Sequence, residues 1–250
     1  MLIDTHCHIY QEYYEDIDKV IAEAKKNNVN ILINIGCDNK SNEEILKLAQ
    51  EHKNIYAVIG IHPENSRGYS AKDISLVEKK LNDKKVLAIG EIGLDYHYSK
   101  ENIDEQKKLF INQLEIAQKQ NIPVVIHSRE ASLDTINILK EYSLKGIIHS
   151  FSGSLESALE YIKLGYLIGI NGVVTFKNCK LKDFLREIGL KNIVLETDSP
   201  YLSPEPYRGQ KNTPANISII NIYIANILGL SEQDVAQQTT QNVLDLFDIK

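Results

Sequence analysis

The sequence predicts a (β/α)8 barrel, a TIM barrel, that occupies residues 1–250 as a single domain. Three observations predict it: a length of 250 residues, eight short apolar runs, and helix-length amphipathic segments between those runs. Strands that alternate with helices form a parallel sheet, and eight such units close into a barrel of about 250 residues. A doubly wound sheet is the competing architecture, but it usually has a glycine-rich loop after its first strand, where this chain has His6-Cys7-His8.

The predicted elements follow one another in regular alternation. We expect strands at residues 2–5, 31–35, 56–61, 86–91, 123–127, 146–149, 166–170 and 192–196. Segment 103–120 repeats apolar residues at helical spacing, and 132–142 does the same. After a proline-rich loop at 199–214, two more helices are expected at 215–228 and 231–247. Gly229 ends the first, and Ser231 with Asp234 resembles a capping box for the second.

The composition is that of an acidic protein with reduced thiols. The net charge of −6 argues against a protein that coats nucleic acid through a broad basic face, but not against an enzyme that grips a few phosphates. Cys7, Cys37 and Cys179 have no CxxC spacing, which favours a cytoplasmic protein. There is no apolar run of about 18 residues and no signal peptide, so no membrane contact is expected. A monomer is expected, because the apolar sides of the outer helices pack on the barrel.

Acid–base and metal-binding residues stand where the predicted strands end. The carboxyl ends of barrel strands converge on one face, where active sites lie. A single histidine at such a position is usually an ordinary hydrogen-bonded residue, whereas several at one level indicate a metal centre. The residues in question are His6 and His8 after strand one, His62 after strand three, Glu91 on strand four, His127 on strand five, His149 on strand six, and Asp198 after strand eight.

His6 and His8 are two residues apart, so on a strand their side chains share one face. Imidazoles in that arrangement suit a borderline metal such as zinc or manganese. Cys7 points to the opposite face and is expected to pack against the helices. Glu196 is expected beside the ligands and not among them.

The ligand types predict two metal ions. Four imidazoles together with Glu91 and Asp198 are more donors than one tetrahedral zinc requires. Two divalent ions bridged by Glu91 would use all six donors. A pair of metal ions can hold an attacking hydroxide and a phosphoryl oxygen together. Asp198 is expected both to ligate and to orient or deprotonate the water, and His62 to contact phosphate or assist proton transfer. Mg, Mn and Zn all remain open as the metal.

These residues, taken together, resemble the TatD family of metal-dependent deoxyribonucleases. The resemblance covers the whole chain through seven motifs in order: DTHCH (4–8), GIHP (60–63), GEIGLDY (90–96), PVVIHSREA (123–131), HSFSG (149–153), ETDSPYL (196–202) and RGQKNTPANI (208–217). It implies a barrel hydrolase with a two-metal centre that cleaves phosphodiesters, commonly as a 3′-to-5′ exonuclease on DNA ends, with RNA also open. It implies His6, His8, Glu91, His127, His149 and Asp198 as metal ligands, and His62 near the reaction.

Arginine is scarce in this chain, and three of its four copies follow predicted strands. Arginine binds phosphate through two parallel hydrogen bonds, so Arg129 and Arg208 are candidate substrate contacts, although chance explains the placement of four residues equally well. Segment 208–216 fits a loop that closes over the substrate, with Arg208 and Lys211 meeting phosphates. The alternative interpretation of this segment is a structural connector stiffened by proline.

Three positions depart from the family pattern. Glu64 stands where a second histidine is frequent, Ser150 where cysteine is usual, and Tyr207 where histidine is common. None of these changes removes a predicted metal ligand. Glu64 adds a carboxylate near the mouth of the site, so it bears on substrate preference.

Two other functions are compatible with parts of the pattern. An amidohydrolase-type enzyme that cleaves a C–N or C–O bond in a small molecule shares the first-strand histidines, two later histidines and the last-strand aspartate. Many binuclear members bridge their metals with a carbamylated lysine on strand four, where this chain has Glu91 and where Lys84 and Lys85 precede the strand. A non-catalytic metal-binding scaffold is the third interpretation, and the full ligand set disfavours it.

Overall fold

The computed structural model describes residues 1–97 and 100–249, and the predicted end of the domain at residue 250 lies outside them. Eight parallel strands follow one another around a barrel in chain order, each hydrogen-bonded to the next. They are β1 Leu2–Cys7, β2 Val29–Ile35, β3 Ile55–Ile59, β4 Val86–Asp95, β5 Val124–Arg129, β6 Gly146–Ile148, β7 Tyr166–Ile170 and β8 Ile193–Leu195. The predicted barrel is confirmed.

The first and last strands meet at their carboxyl ends and nearly close the barrel. A single parallel bridge joins Cys7 to Ser199. The amide of His8 donates to the Ser199 carbonyl at 2.7 Å, and the amide of Asp198 donates to the His6 carbonyl at 2.8 Å. These bonds tie the predicted ligands of β1 to the segment that follows β8.

Helices surround the sheet. They are α1 Ile17–Lys26, α2 Asn39–Glu51, α3 Ala71–Lys80, α4 Ile103–Gln120, α5 Ser132–Leu139, α6 Leu155–Lys163, α7 Leu185–Ile188, α8 Ile217–Leu228 and α9 Glu232–Phe247. The predicted helix ends are correct within three residues. Gly229 ends α8 with a positive φ of 69°, and the Ser231 hydroxyl accepts from the Asp234 amide at 3.0 Å, as the capping motif predicts.

In the described part of the chain, no helix on its own is long and apolar enough to span a membrane, and one pair, Pro214–Leu228 with Glu232–Phe247, reaches that standard only when joined across a 111° bend.

Two apolar layers leave one end of the barrel free for a site. Inside the barrel lie small and branched side chains such as Ile33, Val58 and Val125, and Val243 and Phe247 of α9 belong to the same cluster. Helix α9 covers the amino end of the strands, because Thr240 donates to the Met1 carbonyl and Asn242 to the Ile193 carbonyl. The carboxyl end stays open, where barrel active sites lie.

The outer layer lies between the strands and the helices. Leu32, Ile55, Phe110 and Leu114 belong to it, and so does Cys7, which is fully buried with its Sγ atom 3.4 Å from the Ile33 carbonyl oxygen. The prediction that Cys7 packs away from the two histidines is confirmed.

Strand β4 is longer than its apolar pattern predicts. It continues past Glu91 to Asp95, because residues 92–95 pair with residues 126–129 of β5. The register shifts between Ile89 and Ile92, next to Glu91. Both Glu91 and Asp95 therefore reach His127 on the neighbouring strand.

Buried amide side chains on the helices hold the strand ends in place. Asn42 of α2 bonds both the amide and the carbonyl of Gly60, at 3.1 and 2.8 Å. Gln113 of α4 does the same for Ile61, at 2.8 and 2.9 Å, and Gln106 does so for Asp95, at 2.8 Å each. These paired bonds fix the backbone beside two side chains of the site.

Gln113→Leu is expected to lower the free energy of unfolding by about 2–4 kcal/mol, because the buried amide and carbonyl of Ile61 both lose their partner. Chemical denaturation followed by circular dichroism measures the change. Gln120→Leu, at an exposed position of the same helix, is the matched control and should change stability by no more than about 0.5 kcal/mol. Equal stability of the two variants would contradict a structural role for the Gln113 amide.

Candidate metal centre

Glu91 lies at the middle of the carboxyl face of the barrel, with four imidazoles around it. Its carboxylate oxygens lie 2.7 Å from His127 Nδ1, 3.4 Å from His6 Nε2, 3.7 Å from His149 Nε2 and 3.8 Å from His62 Nε2. The glutamate is buried, with 4% of its surface exposed. Glu91 thus occupies the position that a bridging carboxylate needs.

Asp198 forms the second negative point of the cluster. Its Oδ1 atom lies 3.4 Å from His8 Nε2, 3.7 Å from His149 Nε2 and 3.8 Å from His6 Nε2. The structure therefore brings all six predicted metal ligands together, with His62 beside them.

The two histidines of β1 share one face, as their spacing predicts. Their Nε2 atoms are 3.2 Å apart. The Nδ1 atom of His8 lies 3.1 Å from the Ile35 carbonyl oxygen, which directs Nε2 towards Asp198. The ring of His6 stacks on that of His149, with 3.4 Å between centroids. A backbone carbonyl therefore orients the His8 ring, as in metal sites, and stacking on His149 orients the His6 ring.

Glu196 lies behind the predicted ligands. It is fully buried, its Oε1 atom accepts from the Ser150 amide at 2.6 Å, and the same atom is 3.1 Å from His149 Nδ1. A carboxylate on the far nitrogen of a metal-binding imidazole orients the ring and raises its basicity. Glu196 also forms, with His6 and His149, one of the groups of side chains that could hold an ion, so its place outside the ligand set stays a prediction.

Asp95 is a site residue that the sequence pattern did not single out. Its Oδ2 atom lies 2.9 Å from His127 Nε2, so His127 is held between two carboxylates. The available signal was its place in the strand-four motif, four residues after Glu91, but the predicted strand ended at Glu91 and Asp95 was given no role.

The charges of the cluster are strongly perturbed. Burial would raise the pKa of Glu91, but His149 and His6 outweigh it and hold that pKa well below its usual value. Burial would lower the pKa of His127, yet hydrogen bonds to Asp95 and Glu91 raise it to about 10. Burial would also lower the pKa of His149, but the charges of Glu196 and Glu91 raise it to about 9. Burial lowers the pKa of His62 to about 3, so that ring is neutral at neutral pH.

The donors fit small divalent cations. Most of the nitrogen–oxygen distances around Glu91 and Asp198, at 3.4–3.8 Å, exceed the 2.7–3.2 Å of a hydrogen bond. Three ligand atoms lie within 4.8 Å of one another in each of several groups, including His6-His8-Asp198 and His62-Glu91-His127. Imidazole nitrogen with carboxylate oxygen is a donor set for Zn, Mn and related ions.

Metal uptake is expected to release at least three protons per chain at pH 7.5. The pKa values of His8, His127 and His149 are all raised, so these rings are protonated in the metal-free protein, and only neutral imidazole binds a metal. Metal affinity should consequently rise with pH up to about 10. Calorimetric titrations in buffers of different ionisation enthalpy measure the released protons. Uptake without proton release at pH 7.5 would place the ions away from these three rings.

The cluster lies at the bottom of a cavity of about 780 Å³. Arg129 lines its wall, and so do Glu64 and Ser150, two of the departures from the family pattern. The Glu64 carboxylate lies 3.8 Å from His62 Nδ1. The cavity therefore has both a cationic and an anionic side chain around the cluster.

Two predicted substrate contacts do not line this cavity. The guanidinium of Arg208 lies 4.2 Å from the centroid of the Phe176 ring. The ammonium of Lys211 donates to the Tyr13 carbonyl and lies 4.9 Å from the Tyr14 ring. Of the three predicted phosphate contacts, the structure places Arg129 in the cavity wall.

A parallel barrel with buried histidines and carboxylates at its carboxyl end defines a class of protein: the metal-dependent hydrolases of the TIM-barrel type. The comparisons with known proteins agree with that class. A family model described as "TatD related DNase" matches residues 3–248. The chain belongs to this family.

Individual relatives support the same assignment over full length. A metal-dependent hydrolase of Bacillus subtilis (strain 168), YabD, is 37% identical over 254 residues and both chains are covered completely. The human protein named Deoxyribonuclease TATDN3 is 35% identical, with 98% of this chain and 94% of its own covered. The crystal structure of the TatD homologue YjjV from Escherichia coli K12 superposes with a TM-score of 0.95 at 28% identity, covering 100% and 98% of the two chains. The protein is a metal-dependent hydrolase.

Proposed function

We propose that this protein hydrolyses phosphodiester bonds at the 3′ ends of DNA with two divalent ions, releasing nucleotides in the 3′-to-5′ direction. The observation that carries the proposal is the buried Glu91 carboxylate, which lies between four imidazoles and opens into a cavity of about 780 Å³. The name of the human relative, a deoxyribonuclease, supports the same substrate class. The proposed attack from an end rests on the resemblance to the TatD family, whose members commonly act as 3′-to-5′ exonucleases.

The side chains divide the work of such a reaction. The ions would be held by His6, His8, Glu91, His127, His149 and Asp198. When bound, the ions would supply positive charge to the phosphate and acidify the attacking water. Burial would raise the pKa of Asp198, but His149 and His8 outweigh it and keep the pKa below its usual value, so the carboxylate is ionised and able to accept the proton of that water. His62 is neutral and offers a ring nitrogen to the substrate without adding charge.

Aromatic rings line one wall of the cavity and suit a nucleobase. Tyr13 and Tyr201 pack edge to face with 5.9 Å between centroids, and their hydroxyls are 2.8 Å apart. Tyr201 is 49% exposed and lies 6.2 Å from the ring of His8. A base of the terminal nucleotide can stack on this wall while its phosphate meets the ions, and Arg129 on the cavity wall is the candidate contact for the next phosphate.

Tyr201→Ala is expected to raise KM for a single-stranded oligonucleotide about tenfold with little change in kcat, because the stacking of a base on an aromatic ring contributes about 1–3 kcal/mol. Tyr201→Phe keeps the ring and should retain wild-type KM. Steady-state kinetics with a fluorescent 3′-terminal nucleotide measures both constants. A loss that is equal in the two variants would assign the effect to the Tyr13 hydroxyl contact and not to stacking.

The proposed activity is tested with metal-stripped protein and a 5′-labelled single-stranded oligonucleotide, with and without Mg²⁺, Mn²⁺ or Zn²⁺. A ladder that shortens from the 3′ end, dependent on metal and absent in Glu91→Ala, is the expected result. An RNA oligonucleotide of the same sequence shows whether the sugar matters. No cleavage with any metal, together with activity on a panel of cyclic amides and lactones, would overturn the proposal in favour of an amidohydrolase-type reaction.

A further inference from the structure

Cys37 stands at the rim of the metal centre, although the sequence pattern assigned it no role. It follows β2 and the linking Gly36, and it lines the cavity above Glu91. Its backbone is fixed on both sides. The amide of Cys37 donates to the Ser41 hydroxyl at 2.9 Å, and its carbonyl accepts from the His62 amide at 2.9 Å and from Asn65 Nδ2 at 3.0 Å.

The side chain of Cys37 faces two of the predicted ligands. A ligand atom of His8, the Cys37 sulfur and an oxygen of Glu91 all lie within 4.8 Å of one another. His8 follows β1, Cys37 follows β2 and Glu91 lies within β4, so the fold and not sequence proximity brings them together. The group combines an imidazole, a thiol and a carboxylate, each of which binds divalent metals.

The other cysteines differ from Cys37 in this respect. Within residues 1–97 and 100–249, Cys7 and Cys179 belong to no such group. Cys7 is fully buried in the outer apolar layer, and Cys179 lies in the segment between β7 and α7, where its amide donates to the Phe176 carbonyl. Packing therefore accounts for Cys7, and Cys179 provides a matched, partly exposed comparison.

We propose that Cys37 is a further metal ligand on the His8–Glu91 side of the centre and that it biases this protein towards zinc over magnesium and manganese. Thiolate is a soft donor that prefers Zn, whereas magnesium and manganese prefer carboxylate, carbonyl and water. When the sulfur binds the ion, the thiol proton passes to the solvent, so charge and atoms balance. The inference concerns the metal centre alone and holds whichever ester the enzyme cleaves.

The test uses the full-length protein stripped of metal and titrated with Co²⁺, which replaces zinc and reports its ligands by absorption. The wild type is expected to develop a near-ultraviolet band of sulfur-to-cobalt charge transfer. Cys37→Ser, which keeps the size of the side chain but offers a hard oxygen, is expected to bind cobalt without that band. Cys179→Ser should retain it. Circular dichroism melts confirm that each variant is folded.

Two further readouts decide the matter without any activity measurement. In competition between Zn²⁺ and Mn²⁺, the preference for zinc should fall by roughly tenfold in Cys37→Ser relative to the wild type. Zinc should also protect Cys37 from alkylation by iodoacetamide, as measured by peptide mass spectrometry, while Cys179 stays unprotected. Absence of the charge-transfer band in the wild type, its persistence in folded Cys37→Ser, or an unchanged zinc preference would overturn the proposal.

Discussion

Glu91→Gln is expected to abolish hydrolysis and to remove tightly bound metal. The variant keeps the shape of the side chain but replaces the carboxylate, which faces His6, His127 and His149, with a neutral amide. Glu91 is the carboxylate that contacts both His127 and the pair His6 and His149, whereas Asp198 contacts His6, His8 and His149, so the variant loses the charge that would join ions on the two sides. We expect hydrolysis to fall by at least about 10³-fold, which corresponds to about 4 kcal/mol of barrier. Metal analysis by mass spectrometry and rates on a labelled oligonucleotide measure the two effects.

Glu12→Gln is the matched control for this variant. Glu12 also lines the cavity, but it is exposed at the rim and belongs to none of the groups of metal-binding side chains found in the described residues. Its substitution should leave metal content unchanged. If Glu91→Gln retained two ions per chain and wild-type rates, the bridging role would be wrong.

Asp198→Asn is expected to lower kcat by about 10²–10⁴-fold with a smaller effect on KM, because the proposed reaction uses Asp198 to accept the proton of the attacking water. Asparagine is the informative replacement. Asp198 has a positive φ of 56°, a conformation that aspartate and asparagine tolerate better than other side chains, so the backbone should stay in place. Rates are measured across pH in metal-saturated protein.

The pH profile separates the two roles of Asp198. A general base loses activity as falling pH protonates it, so the wild type should show a limb of falling rate at acid pH that Asp198→Asn lacks. Metal content reports ligation independently. Wild-type kcat in a folded, metal-saturated Asp198→Asn variant would contradict the role of Asp198 in proton transfer.

The sequence predicts which site residues lie together because parallel barrel strands all end on the same face. Residues that end parallel strands of a barrel must meet on one face, so the apolar runs alone placed His6, His8, His127, His149 and Asp198 together. The convergence is confirmed, because Asp198 lies within 3.8 Å of His6, His8 and His149, and Glu91 contacts both His6 and His127. Their roles as ligands remain predictions that the metal experiments address.

Contacts between distant parts of the chain were not predictable in the same way. The full length of β4, and with it the contact of Asp95 with His127, depends on pairing with β5 and on the Gln106 side chain of α4. No local pattern encodes either contact. Cys37 was missed because a single cysteine without a spacing motif carries no signal until the fold places His8 and Glu91 beside it.

The loop that follows β8 illustrates the same limit. Its composition suggested that Arg208 and Lys211 reach the substrate, but their positions depend on distant aromatic residues. Arg208 lies over Phe176, which follows β7, and Lys211 lies over Tyr14, which follows β1. Of the three predicted phosphate contacts, the one that lines the cavity is Arg129, at the end of β5.

Electron paramagnetic resonance of the Mn²⁺-loaded protein tests the two-metal centre most directly. Metal-stripped wild type is titrated with Mn²⁺ while bound metal is counted by mass spectrometry. With Glu91 as a bridge, we expect two ions per chain and a spin-coupled spectrum at saturation, replaced in Glu91→Gln by weak, uncoupled binding. A single uncoupled Mn²⁺ per chain at saturation of the wild type would contradict the carboxylate-bridged pair on which the proposed hydrolysis depends.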